Sequence, residues 1–208
     1  MISILIANSK GGCGKSTLST NLAAALALAG QDVLLADADR QKSSLAWAKR
    51  RPGTARPIAT ADWTKETGDV PKAITRLVID GPAGLRKDNF EALVAQADLV
   101  IMPVLPSSFD QEASIAFLEK LDALKSIRKN RKGVAIVGNR MRIRTRAAER
   151  LDKFLAGLGH VVVARLRDSQ SYGEAAATGM SIFEMKRIPA TLREDWQPLI
   201  DYIEQGVL

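Results

Sequence analysis

The sequence predicts an α/β fold in a single domain over residues 1–208, with one mostly parallel, twisted sheet flanked by helices on both faces. Three observations predict it. Short β-branched runs alternate along the chain with longer segments of helical period, the pattern of repeated βα units. The first run passes through a glycine-rich turn directly into a strong helix former. Two later runs end in aspartate, at the edge where an open parallel sheet presents its ligands. With 208 residues, 46% of them apolar and 5% aromatic, the chain can bury a substantial core.

The first strand is ISILIAN, Ile2 to Asn8, which has no basic leader and no small-residue cleavage site and so reads as buried sheet rather than a signal peptide. KSTLSTNLAAALALA, Lys15 to Ala29, is predicted to be a helix that stops at Gly30, a C-terminal cap. DVLLADAD (Asp32 to Asp39), RLVID (Arg76 to Asp80), DLVIMPV (Asp98 to Val104), GVAIVGN (Gly133 to Asn139) and HVVVARL (His160 to Leu166) are predicted as further strands. Helices are expected over Gln41 to Arg51, Asn89 to Ala97, Asp110 to Lys129 with Asp110 as N-cap, Thr145 to Gly157, Ser171 to Thr178 and Leu192 to Gln205. Pro52 to Pro71, rich in Pro, Gly and Thr, receives no element. No apolar run approaches the roughly 20 residues needed to span a bilayer.

Composition excludes several chemistries. One cysteine builds neither a disulfide framework nor a tetrahedral metal site, which fits a reducing, cytoplasmic compartment. The lone His160 leaves no serine or cysteine triad to assemble. The formal net charge of +7 suggests a polyanionic partner, and the excess is concentrated: from Lys125 to Arg146 the chain is basic with no acidic residue.

Strand, glycine-rich turn and helix together make NSKGGCGKST, Asn8 to Thr17, a credible nucleotide-phosphate loop, because backbone amides and a helix N-terminus converge on phosphate oxygens. Gly11, Gly12 and Gly14 permit close backbone approach; Lys15 is placed for the β- and γ-phosphates, Ser16 for Mg²⁺ and Thr17 for the α-phosphate. Cys13 fills the variable position of the loop. A second lysine, Lys10, would repel Lys15 inside one site unless phosphate charge lay between them, so it is expected to extend toward a nucleotide held by a second subunit, a solvated loop lysine being the alternative. Asp37 and Asp39, one residue apart at a strand end, are placed to serve a metal shell and a water together. Asp80, closing an apolar strand, fits a second metal-supporting carboxylate. Asn139 ends a strand with an amide able to pair with the edge of a base, or else forms a turn. Arg140, Arg142, Arg144, Arg146, Arg165, Arg167, Lys186 and Arg187 suit contacts to a phosphate backbone, with a solvated charged face as the alternative.

The loop, with lysines at both Lys10 and Lys15, resembles the deviant phosphate loop of the ParA/MinD family of ATPases, whose fold is that of P-loop NTPases. DADRQ at Asp37 resembles the family's D-x-D-P-Q segment, with Arg40 where proline is usual, and RLRDSQSYGEAAATG from Arg165 resembles its C-terminal region. The resemblance implies a single ParA-like P-loop ATPase domain that binds ATP and Mg²⁺ and closes into a homodimer, with Lys10 crossing to the partner's ATP. It further implies that Asp37 supports the metal shell, that Asp39 orients the attacking water and that Asn139 meets adenine. Such a dimer would hold non-specific nucleoid DNA, hydrolyse ATP slowly, and answer to a ParB-like or other activating partner, positioning a plasmid, chromosome region or protein cluster in a bacterial cell. Rival expectations are a MinD-like membrane-positioning ATPase, disfavoured by the acidic last helix, an iron–sulfur carrier, disfavoured by the single cysteine, and a ligase of the dethiobiotin synthetase type.

Overall fold

The fold is taken from a computed structural model that describes residues 1–84, 87–129 and 131–206, apart from the side chains of 87–89, 108–110 and 128. Among these residues seven strands form one sheet in the order β3-β2-β4-β1-β5-β6-β7, all parallel. They are β1 (Ile2–Ile6), β2 (Val33–Asp37), β3 (Ala59–Asp62), β4 (Arg76–Asp80), β5 (Leu99–Val104), β6 (Gly133–Met141) and β7 (Val161–Arg167). The helices are α1 (Lys15–Leu28), α2 (Ser43–Lys49), α3 (Lys87–Gln96), α4 (Ser108–Asp122), α5 (Lys125–Arg128), α6 (Arg146–Ala156), α7 (Ser171–Ala177), α8 (Ala190–Glu194) and α9 (Gln197–Glu204).

Alternation along the strands builds two cores. In β1, Ile4 and Ile6 point to a layer filled by Leu18, Leu22 and Leu26 of α1, Trp47 of α2 and Leu199 and Ile203 of α9. Leu5 points to the opposite layer, where Phe90, Leu93 and Val94 of α3, Phe117 and Leu121 of α4 and Leu151 and Leu155 of α6 pack. Both faces are covered, as parallel strands require. The strand next to β1 changes from the β4 side to the β5 side, so the loop after β1 emerges at the switch point of the sheet, between neighbours that run off in opposite directions.

Several boundaries differ from the sequence expectation, each for a local reason. β3 lies in the stretch given no element; ATAD is mostly exposed and carries no apolar run, and it is a strand because it pairs with the edge of β2, Asp62 beside Asp37. β2 stops at Asp37 and not Asp39, because the Asp37 carboxylate draws the Asp39 amide back at 3.0 Å. The expected helix from Asp110 is two pieces: α4 begins at Ser108, which puts Asp110 inside it rather than at its cap, with a side chain outside the described ones, and Leu124 in an extended conformation separates α4 from α5. The last helix also divides, into α8 and α9, with a proline in the first turn of α9. Gly30 has φ 88°, and the amides of Gly30 and Gln31 reach Ala27 and Leu26 carbonyls, the left-handed stop expected for α1. His160 Nε2 lies 3.1 Å from Asp122 Oδ2, a link between the residue before β7 and the end of α4.

Candidate functional site

The loop after β1 is held open by its glycines. Gly12 and Gly14 have φ of 75° and 95°, conformations that L side chains rarely adopt. At Gly14 a Cβ would also stand 2.3 Å from Asn139 Nδ2, so no other residue fits there without displacing the Asn139 side chain. Lys15 is 6% exposed, its ammonium donating to the Lys10 carbonyl at 3.0 Å, while Cys13 Sγ lies 3.2 Å from the same oxygen. Cys13 is thus a buried packing residue of the loop. Lys10 contributes its carbonyl to this arrangement, but its side chain is exposed, and its ammonium makes no hydrogen bond or ion pair among the described residues.

Two carboxylates meet beside the loop, and a third lies in the loop that follows β2. Asp37 and Asp80 are neighbours across β2 and β4, and both are fully buried. Asp37 is satisfied by two amides, those of Asp39 and Leu45, each at 3.0 Å. Asp80 Oδ1 accepts from Ser19 Oγ at 3.1 Å, whereas its Oδ2 has no partner among the described residues. Burial above all, reinforced by the charge of Asp37, pushes the Asp80 carboxyl up to about 7, against the hydroxyls of Ser16, Ser19 and Ser44, which favour its ionised form. Asp39 is half-buried in the following loop; it accepts from the Gln41 amide at 2.9 Å and from the Ala83 amide at 3.1 Å, which ties the loop after β2 to the loop after β4.

This donor set fits a hydrated Mg²⁺. No three His, Cys, Asp or Glu side chains converge into a protein cage among the described residues, and a hard cation that keeps its waters needs none. A buried carboxylate oxygen without a partner, beside a hydroxyl on the first turn of α1, is what such a cation's shell would satisfy. Of these residues, Ser16 is the one that would touch such an ion, with Asp37 and Asp80 behind it.

Beyond the loop a cleft of about 840 Å³ runs between Gly12, Gly14 and Thr17 on one side and Asn139, Arg140, Asp168 and Tyr172 on the other. Asn139 lies in its wall, but its amide already works within the protein: Nδ2 donates to the Cys13 carbonyl at 2.8 Å and Oδ1 accepts from the Arg140 amide at 3.0 Å. Burial pushes the Tyr172 hydroxyl up to about 12, and that oxygen accepts from Trp196 Nε1 at 2.9 Å.

The basic residues separate into groups. Arg140 and Arg142 both reach Asp168, at 3.4 and 3.5 Å, and Arg140 faces the cleft as well as solvent. Arg165 pairs with Asp152. Arg167 is clasped by Asp195 through Nε and Nη2, at 2.6 and 2.7 Å, and its guanidinium is more buried than the others. Arg144, Arg146, Lys186 and Arg187 are exposed and form no ion pair among the described residues. Arg140 and Arg144 hold φ of 52° and 63°, and the irregular register of β6 against β7 at Met141 turns the chain between them outward.

Sequence reasoning found the consecutive residues of the loop but not Ser19, Ser44, Asp168 or Tyr172. Ser19 carried a readable signal, one helical turn after Lys15 on the same face of α1. Asp168 and Tyr172 lie in the segment from Arg165 already singled out, though without a role at the loop, and Ser44 reaches the site through tertiary packing alone.

Residues 4–182 match the family described as the CobQ/CobB/MinD/ParA nucleotide binding domain. The chain is 30% identical over 189 residues to maintenance of carboxysome distribution protein A of Halothiobacillus neapolitanus, covering 88% of this chain and 87% of that one. Among solved structures, the MinC:MinD cell division protein complex of Aquifex aeolicus aligns with TM-score 0.75 and 19% identity, over 100% of this chain and 96% of the other. An aspartate-to-alanine variant of Cyanothece McdA in complex with ATP aligns with TM-score 0.74 and 15% identity, again over 100% and 96%. At these identities the structural matches speak for the fold.

Proposed function

Because the chain belongs to the CobQ/CobB/MinD/ParA nucleotide-binding family, we propose that it is a slow ATP hydrolase that positions a cargo, dimerising around ATP and Mg²⁺ and holding non-specific DNA while dimeric. The observation that carries this reading is Lys10: its backbone serves its own loop while its charged end faces outward. In the ATP state that ammonium would lie against the phosphates of a second copy. A cation supplied across an interface makes assembly depend on nucleotide, and stabilises the charge that develops on phosphoryl transfer.

Within one protomer, Lys15 and the loop amides would bind and orient the triphosphate in the cleft, with Thr17 at its α-phosphate end. Ser16 would hold Mg²⁺, with Asp37 and Asp80 fixing its waters; when bound, the ion neutralises phosphate charge. Asp39 orients a water for attack on the γ-phosphorus. The new P–O bond forms as the bond to the β,γ-bridging oxygen breaks, giving ADP and phosphate, and the water's proton leaves with the phosphate. No glutamate neighbours Asp80 to act as a base, which supports slow turnover and a role for an activating partner of ParB type. The relative in Halothiobacillus is named for carboxysome distribution, which supports a large protein assembly as cargo as well as a plasmid or chromosome region.

The test is Lys10→Ala. ATP affinity by equilibrium titration should stay within about threefold of wild type, while ATP-dependent dimerisation in light scattering should be lost, a drop of tenfold or more in association. A variant that dimerises normally removes the cross-subunit role.

A further inference from the structure

Among the described residues, two side-chain oxygens are buried without a hydrogen-bond partner: Ser44 Oγ and Asp80 Oδ2. The residues are distant in sequence, one on the first turn of α2 and the other at the end of β4. The fold brings them to one place. Asp37 is the register partner of Asp80, and its Oδ2 accepts the amide of Leu45, the residue next to Ser44, at 3.0 Å. The Ser44 hydroxyl lies close enough to Asp80 to favour its ionised form, as do the hydroxyls of Ser16 and Ser19, but the Ser44 contact falls short of hydrogen-bond geometry and leaves both oxygens unsatisfied. A single buried orphan is an oddity of packing. Two that lie beside each other, next to Asp37 and the hydroxyls of Ser16 and Ser19, mark a place where one further group could bond to both.

We propose that Ser44 is a positioning residue of the divalent-cation site, its hydroxyl and Asp80 Oδ2 together holding a water of the hydrated ion. This rests on the nucleotide reading above. Mg²⁺ binds few protein groups directly and keeps several waters, so the groups that fix those waters decide how well the ion is held. Such outer partners commonly change metal affinity by about 10- to 100-fold. Ser44 acts through that water and touches no phosphate, so its loss weakens the metal and spares the nucleotide's grip on the loop. A hydroxyl with only a structural role behaves otherwise: its removal would change the metal-free protein and leave the Mg²⁺ dependence alone.

The experiment uses the full chain, a fluorescent ATP analogue and Mg²⁺ titrated from EDTA, with melting curves in parallel. Ser44→Ala should melt at or above the wild-type temperature without metal and bind the analogue equally well in EDTA. Its Mg²⁺ midpoint should rise about tenfold. Asp80→Asn should raise the midpoint too, and the double variant should be no worse than Asp80→Asn alone, because both hold the same water. A wild-type Mg²⁺ midpoint in Ser44→Ala, with a raised one in Asp80→Asn, overturns the proposal and leaves the nucleotide reading standing. A lower metal-free melting temperature in Ser44→Ala overturns it as well, by revealing a structural partner. If the unaltered protein binds no analogue in either condition, the nucleotide reading fails and this inference with it.

Discussion

At Asp80 two causes act on a carboxyl in the same direction: complete burial, and the buried charge of Asp37 beside it. A folded-state value near 7 against an ordinary 3.8 means that the folded chain binds this proton more tightly than the unfolded one. The resulting stability is fully present below about pH 4 and is lost as pH rises toward 7, with a slope of at most about 1.4 kcal/mol per pH unit. Thermal melts of the metal-free protein between pH 5 and 7 should therefore fall less steeply for Asp80→Asn than for wild type. Equal slopes would show that the buried carboxyl is already ionised. The phosphate loop itself was legible in the sequence, because its residues are consecutive and its glycines have a mechanical cause. The surroundings of Asp80 were not legible: Ser19 and Ser44 approach it from α1 and α2, and only the layered packing brings those helices to the same strand end.

Elements were legible where burial wrote a pattern. Six strands follow from apolar runs that fill two covered faces, whereas β3 is exposed, and its strand character comes from pairing with β2 alone. The C-terminal pieces show the same limit. One amphipathic helix was expected, and the structure divides it between α8 and α9 while still burying Trp196, Leu199 and Ile203 completely. Its apolar face is thus spent on the core. The division also places Asp195 against Arg167 of β7, where the carboxylate accepts from Nε, Nη2 and the backbone amide. This pair is partly buried and three times hydrogen-bonded, so it fastens the end of the chain to the sheet. Asp195→Ala should lower unfolding free energy by about 2 kcal/mol in urea, because it leaves a partly desolvated guanidinium unpaired. A change under about 0.5 kcal/mol would reduce the clasp to a surface ion pair.

For the whole molecule, the net charge of +7 gains meaning only once the ion pairs are subtracted. Arg165 and Arg167 are engaged by carboxylates, Arg140 and Arg142 share Asp168, and Arg144, Arg146, Lys186 and Arg187 remain outward. DNA retention measured across a salt series, with ATP, ADP or no nucleotide, should be strongest with ATP. Replacing Arg144 and Arg146 by alanine should flatten the log–log salt slope by about 0.9 for each lost phosphate contact. Retention that ignores both nucleotide and these substitutions would leave the outward charge as a solvated face. The basic segment that leads to Arg144 starts at Arg140, whose amide donates to Asn139 Oδ1, and the same side chain's Nδ2 donates to the Cys13 carbonyl. A single amide therefore joins the glycine-rich loop to the root of the arginine segment, the two places where the proposed function puts triphosphate and DNA. On that proposal, a shift of the loop on taking up nucleotide would reach the arginine segment through one side chain, with no relay of helices between them.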